Sequence, residues 1–310
     1  MVFLAKSTMS QRLPALSLAA VPGRRRATLD LAREIESRGF PAIYCPSMND
    51  GVSLCGALAQ VTERVRFGTS IQPIYTRHVQ DFAQAASFIH ETSGGRFDFG
   101  IGVSHAPAMD RLGVSTGKPL GDIRRFVDEL RAVPRAGELP RIVLAALRQR
   151  MIGLAEEIAG GLVFANGART HMTTSLGALR AESRADPGFF IGNMIPTVVS
   201  DDIEAAKARN RRTLASYAAL PNYRAYWKEA GYEEEMNAVE QALAAGEFDR
   251  VGQCLSDRWL ADTTLFGPPA QVREGIEAWF DAGIKVPIIV PSSTNGGQFR
   301  AFEEFFGIWA

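Results

Sequence analysis

Residues 67–103 read FGTSIQPIYTRHVQDFAQAASFIHETSGGRFDFGIGV: two short apolar runs flank a stretch of helical period that stops at Gly94-Gly95. A strand, a helix over about residues 78–92 and a second strand make the unit from which parallel sheets are built. The unit repeats along the chain. Apolar runs bounded by turn residues begin near Ala15, Ala42, Val65, Phe97, Arg141, Gly161, Phe189 and Val286. Helical spacing fills residues 27–37, 53–63, 78–92, 120–132, 149–159, 170–183 and 201–219. Eight strands alternating with helices predict an α/β fold, a (β/α)8 TIM barrel, with an open doubly wound sheet as the alternative. Runs such as VPIIV are apolar on both faces, which suits a parallel strand covered on each side.

The alternation breaks over residues 220–266, where two or three extra helices are expected before the last helix and strand. Residues 1–310 are therefore read as one domain with a helical insertion at 220–266, a length that a single α/β barrel accommodates. The insertion carries Tyr223, Tyr226, Trp227, Tyr232 and Trp259. These aromatics either line a pocket or pack the inserted helices onto the barrel.

Charge is balanced, with 34 Lys and Arg against 34 Asp and Glu, and the basic residues are scattered. That composition argues against a nucleic-acid or membrane partner. Cys45, Cys55 and Cys254 form no CxxC pair, which argues against a disulfide framework or a zinc site. With no signal-peptide core and no membrane-length apolar window, a cytoplasmic protein is expected.

In a barrel of this kind chemistry sits at the carboxyl ends of the strands. The residues there include Ser47, Met48 and Asn49 after the second run, Ser70 and Ile71 after the third, Val103, Ser104 and His105 after the fourth, and Asn166 after the sixth. Carboxylates and lysines are nearly absent from this set. Schiff-base and metal-dependent sites are thereby disfavoured, and an organic cofactor that brings its own reactivity is the alternative. In Asn166-Gly167-Ala168-Arg169-Thr170 a strand turns into a helix, with Thr170 as N-cap. Its backbone N–H groups either hold a phosphate or form an ordinary capped turn. Arg148, Arg150 and Arg169 are candidates for a basic groove nearby. His105 is the histidine in a long loop on this face, either a proton donor or a surface residue.

Residues 67–103, with LCGALAQVTERVRFGTSI overlapping their start and LAALRQRMIGLAEEIAGGLVFANGA after them, resemble the bacterial luciferase-like superfamily. The similarity is greater to its coenzyme F420-dependent branch, which includes methylenetetrahydromethanopterin reductases. It spans residues 27–168 and returns at FGPPAQVREGIEAWFDAGIKVPIIV. The resemblance implies a flavin-type ring lying over the strand ends, backed by a bulge with a non-prolyl cis peptide matching Ser70-Ile71. It assigns cofactor contacts to Ser47, Ser70, Ile71, Gly102, Val103, Asn166, Gly167 and Ala168, and it favours the phosphate role for the last three. His105 stands where some relatives place a carboxylic acid, and Met48 where some place a histidine. The activity implied is an oxidoreductase moving hydride between F420 and a small-molecule substrate, in a homodimer. Two alternatives are an FMN-dependent monooxygenase fed by a separate reductase and a non-catalytic flavin-binding barrel.

Overall fold

The computed structural model describes residues 12–47 and 49–309; Met48 lies outside them. One sheet contains ten parallel strands, eight of which close on themselves. In barrel order, strand one is Ala15–Ser17, strand two Ala42–Cys45, strand three Arg66–Thr69 and strand four Phe97–Gly102. Strand five is Arg141–Ala145, strand six Gly161–Ala165, strand seven Phe190–Val199 and strand eight Val286–Ser292. Strand eight pairs with strand seven from Val286 opposite Gly192 and with strand one at Ala15 opposite Ile288, so no edge is left. This closure decides for the (β/α)8 barrel over the open sheet. Among the described residues no helix is long and apolar enough to cross a membrane.

Alternation of side chains sorts the apolar residues into two cores. Ala15, Ala42, Tyr44, Val143, Val163, Phe190 and Ile288 fill the barrel interior. Phe67, Phe82, Phe97, Phe99 and Phe126 belong to the larger core between strands and helices. The amino-terminal end of the barrel is closed by charge. Asp98, 0% exposed, accepts hydrogen bonds from Tyr44 Oη (3.1 Å), Arg66 Nη2 (3.0 Å) and Arg141 Nε and Nη2 (3.0 and 2.8 Å). Burial, reinforced by the Asp98 charge, pushes the Tyr44 phenol well above its ordinary range.

Two short strands lie beyond the eight. Gln72–Pro73 continues strand three beside strand four, and Leu265–Gly267 pairs with the upper end of strand seven. Between strand seven and Leu265–Gly267 stand helices Ile203–Ala218, Pro221–Glu229, Glu233–Ala244 and Asp257–Thr263 and the turn Phe248–Cys254. The helical segment thus begins before residue 220, because strand seven overruns the barrel and carries the chain upward before it turns. The helix expected over residues 170–183 is broken into Arg169–His171, Met172–Leu176 and Ala181–Ala185. Buried Met172, Leu176 and Leu179 keep a helical period although the backbone between the pieces turns away.

Removing Asp98 strands Arg141 and Tyr44 over an apolar interior. We expect Asp98→Ala to lose about 3 kcal/mol of unfolding free energy in urea titration. A loss below about 1 kcal/mol would show that the network is dispensable.

Candidate active site at the barrel mouth

Toward the carboxyl ends of the strands the inward-facing side chains become small and partly exposed, so the barrel opens into a shallow bowl. Its floor is Ile71, Gly102, Ala145, Ala165 and Met194. A Cβ at Gly102 would come within 2.9 Å of the Ala145 Cβ and 3.0 Å of the Ile71 Cδ1, which puts these three in one surface. Ile71 reaches the floor through a bulge. Gly68 pairs with Asp98 and Gln72 with Ile101, so four residue steps on strand three face three on strand four. The Ser70-Ile71 peptide within the bulge is cis, as the resemblance implied. Strand four approaches this bend so closely that a Cβ at Gly100 would stand 1.9 Å from the Thr69 carbonyl oxygen; only glycine fits.

Four polar residues at the strand ends adopt left-handed backbone angles: Asn49 (φ 60°), Asp50 (φ 65°), Ser104 (φ 61°) and Asn166 (φ 56°). Short polar side chains tolerate this region best, and each marks a sharp exit of the chain from the barrel. The sequence-derived candidates distribute around this rim. Ser47 is exposed, Val103 is half-buried, and Ser70, Gly102, Asn166, Gly167 and Ala168 are buried. Ser70 Oγ and Asn166 Nδ2 are buried without a hydrogen-bond partner. A buried donor left unpaired is costly; Asn166 Nδ2 stands at the mouth, where the polar edge of a flat ring can satisfy it, while Ser70 lines the small void inside the barrel with Tyr44, Asp98, Val143 and Phe190. The floor and the Asn166 amide fit a flavin-type ring.

The loop after strand six does not present itself as a phosphate cradle. Three of its N–H groups are engaged: Asn166 donates to the Met194 carbonyl (3.0 Å), Gly167 to Asn193 Oδ1 (3.2 Å) and Ala168 to the Tyr226 hydroxyl (3.0 Å). Thr170 is not an N-cap; its N–H and hydroxyl donate to the Asp262 carboxylate at 2.9 and 2.8 Å. Trp227 Nε1 donates to the Asn166 carbonyl at 3.1 Å. Of the proposed basic groove, Arg148 is paired with Glu229 of the insertion and Arg150 is exposed.

The inserted aromatics therefore serve mainly as packing: Tyr223, Tyr226, Trp227, Tyr232 and Trp259 are all buried. Their outer edge meets His105, which precedes the short helix Ala106–Arg111. The imidazole is half-buried, its centroid 5.9 Å from the Tyr217 ring and 5.7 Å from the Tyr223 ring, both edge-on. Burial pushes the His105 pKa down, so the ring is neutral at neutral pH. Burial raises the Tyr217 phenol, and the neighbouring Asn166 amide lowers it by less.

Tyr217 and Asp262 escaped sequence reasoning. Tyr217 lies in a helix counted among those of the barrel, and Asp262 lies 92 positions from its partner Thr170. Asn193 carried a usable signal, a polar residue in the middle of the apolar run FFIGNMIPTVV.

These features define a (β/α)8 barrel whose mouth is an apolar floor with an uncharged polar wall. The luciferase-like monooxygenase family model matches residues 7–133 and 121–285, and the chain belongs to that family of enzymes. It is 24% identical to a Mycobacterium tuberculosis protein named for coenzyme F420-dependent oxidoreductase activity, over 86% of this chain and 91% of the relative. It is 25% identical to the 5,10-methylenetetrahydromethanopterin reductase of Archaeoglobus fulgidus, over 75% of this chain and 78% of that one. The solved coenzyme F420-dependent tetrahydromethanopterin reductase of Methanopyrus kandleri superposes with a TM-score of 0.73, covering 96% of this chain and 98% of its own at 14% identity. That likeness is one of fold.

The depressed His105 pKa has a consequence for stability. The unfolded imidazole takes up its proton near the ordinary value of 6.5, before the folded one does. This contribution to stability is full above that value and is lost as pH falls toward the lower folded pKa. His171, also lowered by burial, acts in the same direction. His105→Gln should reduce, without abolishing, the fall of the urea midpoint below pH 6.5; an unaltered pH dependence would place the folded His105 pKa at its ordinary value.

Proposed function

We propose that the chain transfers a hydride between deazaflavin coenzyme F420 and a small, uncharged organic substrate. The observation that carries this reading is the apolar floor of Ile71, Gly102, Ala145, Ala165 and Met194, walled by neutral His105 and Tyr217. Relatives named for F420 chemistry over most of this chain support the choice of cofactor. When bound, the deazaflavin supplies or accepts the hydride.

The protein's part is to place the reactants and to manage one proton. The floor would support the ring, and Asn166 Nδ2 would meet its polar edge. This leaves the opposite face toward the insertion. There His105 is held between Tyr217 and Tyr223, whose rings exclude water from it. A neutral imidazole of low pKa is a good hydrogen-bond donor at pH 7 and polarises a substrate oxygen through its N–H, without first having to be protonated.

Fluorescence titration of one preparation with F420 and with FMN tests the cofactor. Saturable binding of F420 is expected; binding of FMN alone would support a monooxygenase in its place. His105→Ala should leave F420 affinity within about threefold while lowering kcat about 100-fold or more at saturating substrate. The wild-type rate should not decline as pH rises through 6.5 to 8, since no imidazolium is required; a steep decline there would make the charged form the acid.

A further inference from the structure

We infer that the loop after strand six does not hold the phosphate end of the cofactor, because the chain's own Asp262 carboxylate already occupies the anion position there. The inference rests on the flavin-type ring site proposed above and concerns the other end of the molecule.

The loop has the parts of an anion site: a strand end, a glycine, a turn of helix, and N–H and hydroxyl donors on Thr170. Those donors converge on Asp262. Its Oδ1 accepts the Thr170 N–H at 2.9 Å, and its Oδ2 accepts the Thr170 hydroxyl and the Tyr232 hydroxyl, each at 2.8 Å. Asp262 is buried, and among the described residues no Lys or Arg lies within ion-pair distance of it. A buried carboxylate without a cationic partner depends on such donors, so the site and the residue satisfy each other. Two more donors of the loop are closed as well. The Gly167 and Ala168 N–H groups are spent on Asn193 and Tyr226, and a Cβ at Gly167 would meet Met172 Cε at 2.9 Å, so the space that glycine leaves is filled by protein. A phosphate dianion entering here would displace Asp262 or stand against it, and two like charges a few ångströms apart in a buried place repel strongly. The helical insertion thus substitutes a carboxylate for the phosphate, and the ring is gripped without the N–H groups that follow Asn166 in this loop.

Two ligand pairs probe the phosphate end: FMN with riboflavin, which differ by the phosphate alone, and F420 with its deazaflavin core, which differ by the phosphate and the acidic tail it carries. The ratio of dissociation constants within whichever pair binds should change by less than about threefold in Arg169→Ala and Thr170→Ala. A tenfold or greater collapse of that ratio in either variant overturns the inference. A second measurement needs no ring. In inorganic phosphate, compared with sodium chloride at equal ionic strength, the wild-type Tm should not move. Asp262→Ala, with the anion position emptied, should gain about 3 °C or more. A phosphate-induced rise in the wild type that Thr170→Ala removes overturns the inference, as does an Asp262→Ala protein indifferent to phosphate. Should none of the four ring compounds bind, the cofactor reading fails, and the phosphate response still decides this one.

Discussion

The structure depends on one buried carboxylate at the closed end of the barrel. Asp98, on strand four, is held by Tyr44 of strand two, Arg66 of strand three and Arg141 of strand five. A charge in that place is tolerable only while all its partners are present, so the network penalises any register in which the four strands slip. Its effect is felt at the opposite end. Each strand rises from this plug to the mouth, and the side chains there fall in their places because the register below is set. The bulge after strand three adds one residue at a defined height and brings Ile71 onto the floor beside Gly102.

The mouth is divided between two builders. Strands three to seven supply the floor, which is apolar and shallow, while the segment between strand seven and Leu265–Gly267 supplies one wall. Strand seven is ten residues long, and its overrun gives the inserted helices their foothold. From there they reach across to His105, to the carbonyl of Asn166 and to Thr170. The wall and the loop after strand six are thus one hydrogen-bonded body, joined through Tyr226, Trp227, Tyr232 and Asp262. In the proposed function the floor receives the cofactor and the wall meets what the cofactor reacts with.

Much of this was legible from the residues. All eight barrel strands announce themselves as apolar runs, since a parallel strand buried on both faces has few other options. His78 was expected to open its helix, and its side chain caps Val79–Thr92. The site was legible in part. Ser70 and Ile71 follow from strand ends, and Gly102 entered through the resemblance alone. The loop at Asn166-Gly167-Ala168 was located, but its donors, for which the resemblance favoured a phosphate, pair with Met194 and Asn193 of strand seven and with Tyr226 of the insertion. Glycine and threonine in a turn signal that N–H groups will be exposed locally, and they carry no information about which distant residue arrives to take them.

By itself the sequence determined the alternation of strand and helix, the choice of a parallel sheet and the near absence of charge at the strand ends, because period and polarity are local properties. Tertiary structure decided the rest: closure of the sheet, the bulge that lifts Ile71, the neutral state of His105 and the capture of Thr170 by Asp262. Each of these depends on contacts between residues tens of positions apart. Burial and pairing at such range are set by how the chain packs, and no local pattern encodes them.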